Sequence, residues 1–233
     1  AKKYIGFLPQ KAPLHTEMTV DEYLYHCADI RLMPKKEIPA AIDRAKEKCG
    51  ITHFSKRQIC NLSGGYQQRV GIAQAIIHDP LFVILDEPTN GLDPNQITEV
   101  RHLIKGIAED RAVLISTHIL PEVQAVCDYI MMIEHGQKVF EGTINAFNTY
   151  MSPSALMTIM HNAPTTEELL KIEGIVRVER LTKTRIRLHF KGDNAIVGRV
   201  VKQAVENQWH LREISLEKES LDKVFAKLSG KEV

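Results

Sequence analysis

The chain has 233 residues and a mass of 26.4 kDa, enough for one large domain or two modest ones, since domains average roughly 100–200 residues. Its 44% hydrophobic and 25% charged content is globular, which excludes a disordered or fibrous chain. A net charge of +1 gives no global pull toward nucleic acid or an anionic bilayer, and apolar runs such as Leu81 to Leu85 fall far short of the ~20 residues of a membrane helix. The four cysteines, Cys27, Cys49, Cys60 and Cys127, are scattered without C-x-x-C spacing, which favours a reduced, cytosolic setting over a disulfide framework. Tyr4 to Leu8, closed by Pro9-Gln10, is too short for a signal-peptide core.

In chain order, Tyr4 to Leu8 predicts a short strand stopped by Pro9. Asp21 to Asp29 and Lys35 to Cys49 predict helices, the second with Ile38, Ala41, Ile42 and Ala45 at spacings of three and four. Leu81 to Leu85 is a continuous apolar run, the pattern of a strand buried on both faces of a parallel sheet, and Ala112 to Ile115 and Tyr129 to Ile133 repeat it. With Asn95 to Ile107 helical between the first two, strands alternate with helices as in a parallel α/β sheet.

Asn, Thr, Ser and Pro cluster from Asn148 to Pro153 as a linker would. Beyond it the sequence predicts a strand at Ala155 to Met160, a helix at Thr165 to Ile172, and a hairpin of Val176 to Leu181 with Arg185 to Lys191. In the second of these strands Ile186, Leu188 and Phe190 alternate with Arg185, Arg187, His189 and Lys191, giving one dry and one wet face. Asp193 is placed to cap a helix carrying Ile196, Val197, Val200, Val201 and Ala204 on one side. His210 to Leu216 predicts a final strand, and Ser220 to Leu228 a final helix ended near Gly230. The order βαββαβ followed by α predicts a ferredoxin-like α+β domain over 154–233, after an α/β domain over 1–147.

Four segments carry chemistry. Leu62-Ser63-Gly64-Gly65-Tyr66-Gln67-Gln68-Arg69 puts a capping serine and two glycines at a helix start, where bare amides can approach an anion; a plain capped helix on a glycine turn is the alternative. Phe82 to Leu85 then delivers Asp86 and Glu87 to the carboxyl end of a strand, where open α/β sheets bind ligands. Asp86 is suited to hold Mg²⁺ at a phosphoryl-transfer site, and Glu87 to orient or deprotonate a water; the alternative is a solvated acidic turn. Leu114-Ile115-Ser116-Thr117 ends in His118, which can meet a terminal phosphate oxygen or be an ordinary exposed histidine. Gln10 follows the first strand, in reach of a metal or a water, or as a simple turn residue.

Taken in order, Gln10, Leu62 to Arg69, Asp86-Glu87, Asn90-Gly91-Leu92-Asp93 and His118 closely resemble the ATP-binding-cassette (ABC) ATPases. That family carries a Q-loop, signature motif, Walker B carboxylates, D-loop and switch histidine in this sequence. The resemblance covers residues 4 to about 145. It implies ATP and Mg²⁺ as ligands, Glu87 as catalytic base, Asp86 and Gln10 at the metal, and a head-to-tail dimer with a second ABC ATPase subunit. In that dimer Ser63, Gly64, Gly65 and Gln67 would face the nucleotide of the other subunit, with Asp93 lining the interface. Residues about 11–78 would form the helical subdomain, whose Q-loop end touches a transmembrane permease on the cytoplasmic face of the membrane.

One feature departs from the family: no G-x-x-x-x-G-K-[ST] phosphate loop is present. The single Gly-Lys pair, Gly230-Lys231, is followed by Glu232, and only nine residues precede Gln10. The expectation is an ABC core lacking its N-terminal third, unable to bind ATP productively by itself. Ile214 to Phe225 looks like the tail of exporter-associated subunits, so an exporter is expected. The alternatives are a soluble cassette protein acting on ribosome or DNA, against which a single motif set and the absence of heptads weigh, and a non-hydrolysing interaction module. The basic residues between Arg177 and Lys202 are interleaved with acidic ones as on a solvated face, so no nucleic-acid partner is expected.

Overall fold

The computed structural model describes residues 2–150, 155–192 and 195–217. Its first compact unit, Ala1–Cys127, contains β1 (Ile5–Leu8), α1 (Val20–Ile30), α2 (Ile38–Cys49), α3 (Gly64–Ile76), β2 (Phe82–Asp86), α4 (Pro94–Ala108), β3 (Ala112–Ser116) and α5 (Leu120–Val126). The strands make a parallel sheet in the order β1-β2-β3, as the alternation of elements predicts.

Local chemistry accounts for the helix limits. Thr19 and Glu22 form a reciprocal capping box at the start of α1, each side chain bonding the other's backbone N–H. In α2 the residues Ile38, Ala41, Ile42, Ala45 and Cys49 share a buried stripe, and the helix ends at Gly50 in the left-handed conformation. α1, α2 and α3 all lie within the stretch 11–78 and share one hydrophobic core with Leu8, Val83 and Leu85.

That core uses one face of the sheet. Register places Gly6 beside Val83 and Leu8 beside Leu85, and Leu8, Val83 and Leu85 are fully buried. α3 presses so closely here that a Cβ on Gly6 would lie 2.1 Å from the Ala75 carbonyl oxygen. The other face, carrying Phe7 beside Ile84 beside Leu114, leaves Phe7 47% and Leu114 52% exposed. The prediction of strands buried on both faces is thus corrected. A continuous apolar run reports apolar side chains on two faces, but among the described residues packing covers only one.

The second compact unit, Asp128–Val233, begins with β4 (Tyr129–Glu134), β5 (Gln137–Thr143) and α6 (Ile144–Tyr150), followed by β6 (Ala155–Met160), α7 (Thr166–Leu170), β7 (Ile175–Arg180), β8 (Arg185–Phe190), α8 (Ile196–Glu206) and β9 (Leu211–Glu217). Tyr129 to Ile133, predicted as a further parallel strand, instead pairs antiparallel with β5 in a separate two-stranded sheet. The cause is His135-Gly136, with φ of 48° and 76°: two left-handed residues make the tight turn that a two-residue hairpin needs. The sequence places the domain boundary near 148–153, whereas the division into compact units falls between Cys127 and Asp128.

The remaining four strands form one sheet in the order β7-β8-β6-β9, every pair antiparallel. Ile186, Leu188 and Phe190 are buried, as their alternation predicts. On α8 the buried stripe is Ile196, Val200 and Ala204, whereas Val201 stays 36% exposed. The only buried polar side chain of β6, Thr158, donates its hydroxyl proton to the Ile186 carbonyl oxygen at 3.0 Å. The predicted cap at Asp193, the final helix from Ser220 and the part of the tail match from Lys218 to Phe225 lie outside the described residues, as do Met151 to Pro153 of the linker, while Ile214 to Glu217 of that tail lie in β9.

Candidate active site at the carboxyl edge of the parallel sheet

Because β1, β2 and β3 run parallel, their carboxyl ends share one edge. Leu8 pairs with Leu85 and Asp86 with Ser116, so Gln10, Asp86-Glu87 and His118 all follow that edge within two residues of a strand end. Gln10 sits exposed in a bend after β1, and Asp86 is half-buried as the last residue of β2. Glu87 donates its N–H to the Ser116 carbonyl oxygen at 2.8 Å and accepts from the Asn90 N–H at 3.1 Å. Its φ is 48°, a left-handed conformation that a long side chain seldom adopts.

This backbone turn brings Glu87 Oε1 to 2.8 Å from His118 Nδ1. The Glu87 side chain is 16% exposed and that of His118 73% exposed. The bond to Glu87 and the carboxylate's negative charge raise the His118 pKa above the usual histidine value. The second carboxylate oxygen, Glu87 Oε2, is buried and has no hydrogen-bond partner. A buried oxygen left over in this way marks capacity for a further donor such as a water.

A residue with no evident sequence signal completes the edge. Glu122, in the first turn of α5, is 2% exposed, as is Thr89. Its Oε1 accepts the Thr89 hydroxyl, and its Oε2 accepts the Thr117 hydroxyl at 3.2 Å. Thr117 Oγ1 in turn accepts the Ile119 N–H at 3.1 Å. A buried acid amid threonines carries no periodic pattern, which is why the sequence does not reveal it.

The signature segment starts α3. Ser63 occupies the predicted N-cap in extended conformation, but its side chain makes no capping bond. Gly64 is open enough that an added Cβ would meet nothing within 4 Å, whereas one on buried Gly65 would lie 2.4 Å from the Gln96 side chain of α4. Gln67 turns its amide nitrogen to the Ile59 and Leu62 carbonyl oxygens at 3.2 and 3.1 Å, and so braces the loop before the helix. Gln68 donates to the Pro88 carbonyl oxygen at 2.9 Å, joining α3 to the segment that follows Glu87. Tyr66, given no role by the sequence, stacks edge-on against Phe54 with ring centres 4.6 Å apart. Asp93 caps α4, accepting from the Asn95 and Gln96 N–H groups at 3.0 Å each.

Among the described residues no group of three or more His, Cys, Asp or Glu side chains could hold a metal. Mg²⁺ rarely needs such a cage, being bound through one or two carboxylates with the remaining positions taken by water and substrate phosphates. Asp86 at the end of β2, with Gln10 following β1 at the same edge, fits that mode.

The profile of the ABC transporter family matches residues 1–90. The bacitracin transport ATP-binding protein BcrA of Bacillus licheniformis is 30% identical over 97% of this chain and 73% of its own length. The Nod factor export ATP-binding protein I of Rhizobium meliloti is 37% identical over 61% of this chain and 43% of its own length. Two further ATP-binding relatives from Bacillus subtilis are spanned over 48% and 60% of their length, so the chain covers about half of many of the curated relatives it matches. The solved structure of cbiO1 from Clostridium perfringens, part of the ABC transporter complex cbiONQ, aligns with a TM-score of 0.59 at 27% identity, covering 64% of this chain and 60% of that one. With a relative 30% identical along 97% of this chain and 73% of its own length, and a solved family structure aligned over 64% of the chain, the chain belongs to the ATP-binding proteins of ABC transporters.

Proposed function

We propose that the chain is part of the ATP-hydrolysing subunit of an ABC exporter. The observation that carries this reading is the Glu87–His118 pair at the carboxyl edge, with one Glu87 oxygen bonded at 2.8 Å and the other buried and unpartnered. Glu87 Oε2 would take the proton of the attacking water. His118, kept protonated to higher pH by Glu87, would donate through its other ring nitrogen to the terminal phosphate. Asp86 and Gln10 would hold Mg²⁺, which when bound neutralises charge developing on the phosphoryl oxygens. Ser63, Gly64, Gly65 and Gln67 would face ATP on a second, head-to-tail ABC subunit, with Asp93 supporting that surface through the start of α4.

Export is favoured by the names of the relatives that act in bacitracin transport and Nod factor export. A transmembrane permease partner and a place on the cytoplasmic face of the membrane follow from this reading; no described helix is long and apolar enough to cross a membrane. The βαββαβ order and the sheet order β7-β8-β6-β9 support a ferredoxin-like accessory domain over 154–233, beside an ABC core over 1–147 with a helical subdomain at about 11–78. With no phosphate loop in its sequence, this chain would not hydrolyse ATP by itself.

The test has two steps. Titrated with Mg²⁺-ATP, the chain should show no binding heat into the millimolar range. Placing the phosphate-loop segment of a family relative ahead of residue 1 should create a Mg²⁺-dependent ATPase that Glu87→Gln slows by roughly 10²–10⁴-fold, the usual contribution of a general base. Undiminished turnover in that variant would remove Glu87 from the mechanism. Asp86→Asn should weaken metal dependence, and His118→Ala should slow hydrolysis with ATP affinity kept.

A further inference from the structure

Two loops must be held together for the Glu87–His118 pair to exist, one leaving β2 and the other leaving β3. They meet at the backbone through the Glu87 N–H and the Ser116 carbonyl oxygen. They meet again through Glu122, two residues past Glu87 at Thr89 and one residue past Ser116 at Thr117. That carboxylate sits between the two threonines, one oxygen for Thr89 and the other for Thr117. Thr89 lies two residues after Glu87, and Thr117 immediately before His118. Both Glu122 and Thr89 are 2% exposed, so the bond between them is sheltered from competing water and stronger than it would be at the surface, while the Thr117 bond is half-buried.

We propose that Glu122 is a positioning residue whose buried carboxylate clamps the loop after β2 to the loop after β3 and so sets the Glu87–His118 contact. With only the backbone bond at Ser116, the β3 loop could swing about that point. The second attachment removes this freedom and fixes the imidazole against Glu87 Oε1. Thr117 also fixes the chain direction beyond the histidine through its bond from the Ile119 N–H. The catalytic meaning of the clamp rests on the ATP-hydrolysing reading above, but the clamp itself is a statement about geometry in this chain.

The test is an NMR titration of the His118 imidazole in the nucleotide-free chain, so a chain that never hydrolyses ATP still returns an answer. Glu122→Ala removes both the bonds and a nearby negative charge, and that charge by itself also favours protonated His118. Glu122→Gln removes only the charge, because its oxygen can accept one threonine proton while its amide donates to the other hydroxyl. The expected result is that His118 still titrates above the usual histidine range in Glu122→Gln and falls back into it in Glu122→Ala. Equal titration in the two variants would mean that Glu122 acts through charge alone, and the proposal would be overturned. Should Glu122→Ala fail to fold, Thr89→Val combined with Thr117→Val keeps the carboxylate and cuts both attachments. His118 should again fall back, and an unchanged titration there would equally overturn the clamp.

Discussion

The edge of the parallel sheet and the wet face of β8 both gather acids and bases, yet they use them differently. On β8, Arg187 gives Nε and Nη2 to the two oxygens of Glu217 at 2.6 and 2.9 Å and Nη1 to Glu179 at 3.1 Å. Glu179 also meets His189 at 3.5 Å, and these partners hold its carboxyl below the usual carboxylate range. Charges there satisfy each other, as in a bidentate arginine–carboxylate pair that orders a surface. At the sheet edge Glu87 spends one oxygen on His118 and keeps the other buried and unpartnered. Polar groups that close on one another build structure, whereas a leftover buried acceptor keeps capacity for a further donor.

Core truncations should draw this contrast most strongly. Leu85→Ala and Leu188→Ala each empty a fully buried position and should cost about 2–5 kcal/mol, read from denaturant unfolding. They should part company in the His118 titration. Leu85 lies one residue before Asp86, so its loss should disturb the Glu87 contact, whereas Leu188→Ala should leave that contact alone. A matched effect of both variants on His118 would break the comparison.

Asp93→Ala is the next in size. It removes both capping bonds at the start of α4 and should cost about 1 kcal/mol. Thr165→Ala, which opens the capping box of α7, should cost a similar amount. Only the first should alter the segment joined to α3, where Gln96 crowds Gly65.

The pH dependence is the finest discriminator. Burial, reinforced by the Arg31 charge, pushes His78 from its ordinary 6.5 down to about 4. The folded state therefore favours the neutral ring. The contribution of His78 is complete above pH 6.5 and is lost as pH falls through about 4. His118, raised by Glu87, has the opposite sign: its contribution is complete below the unfolded value and fades as pH rises through the folded one. His78→Gln should flatten the acid limb of the stability profile between those two pH values, measured as the denaturation midpoint, and His118→Gln should not.

The sequence reads this edge well because parallel strands convert chain order into place. Each apolar run ends in the residue that matters, and the register sets Asp86 beside Ser116. The order of the elements from β6 to β9 is legible for a similar reason, since alternation on β8 and the stripe on α8 are local patterns. Features that depend on contact between distant segments are not. Glu122 reads as an acid at a helix start, useful only to the helix dipole, until Thr89 and Thr117 are folded around it. β5 goes unpredicted because Lys138, Glu141 and their neighbours carry no apolar run, and its hairpin is announced only by His135-Gly136. Gln67 illustrates a third case: its motif position is clear, but the carbonyl groups that take its amide come from the loop before α3.

The left-handed backbone of Glu87 bears on how this chain responds to laboratory evolution. Glycine tolerates φ near 48° without the steric penalty of about 1 kcal/mol that a side chain meets there. A library ranked only by heat resistance would therefore reward Glu87→Gly, relieving the backbone while erasing a carboxylate that keeps one oxygen buried and unpartnered. Screens for hardier variants of this chain need position 87 held fixed, because there relief of the backbone and retention of the Glu87–His118 pair pull in opposite directions.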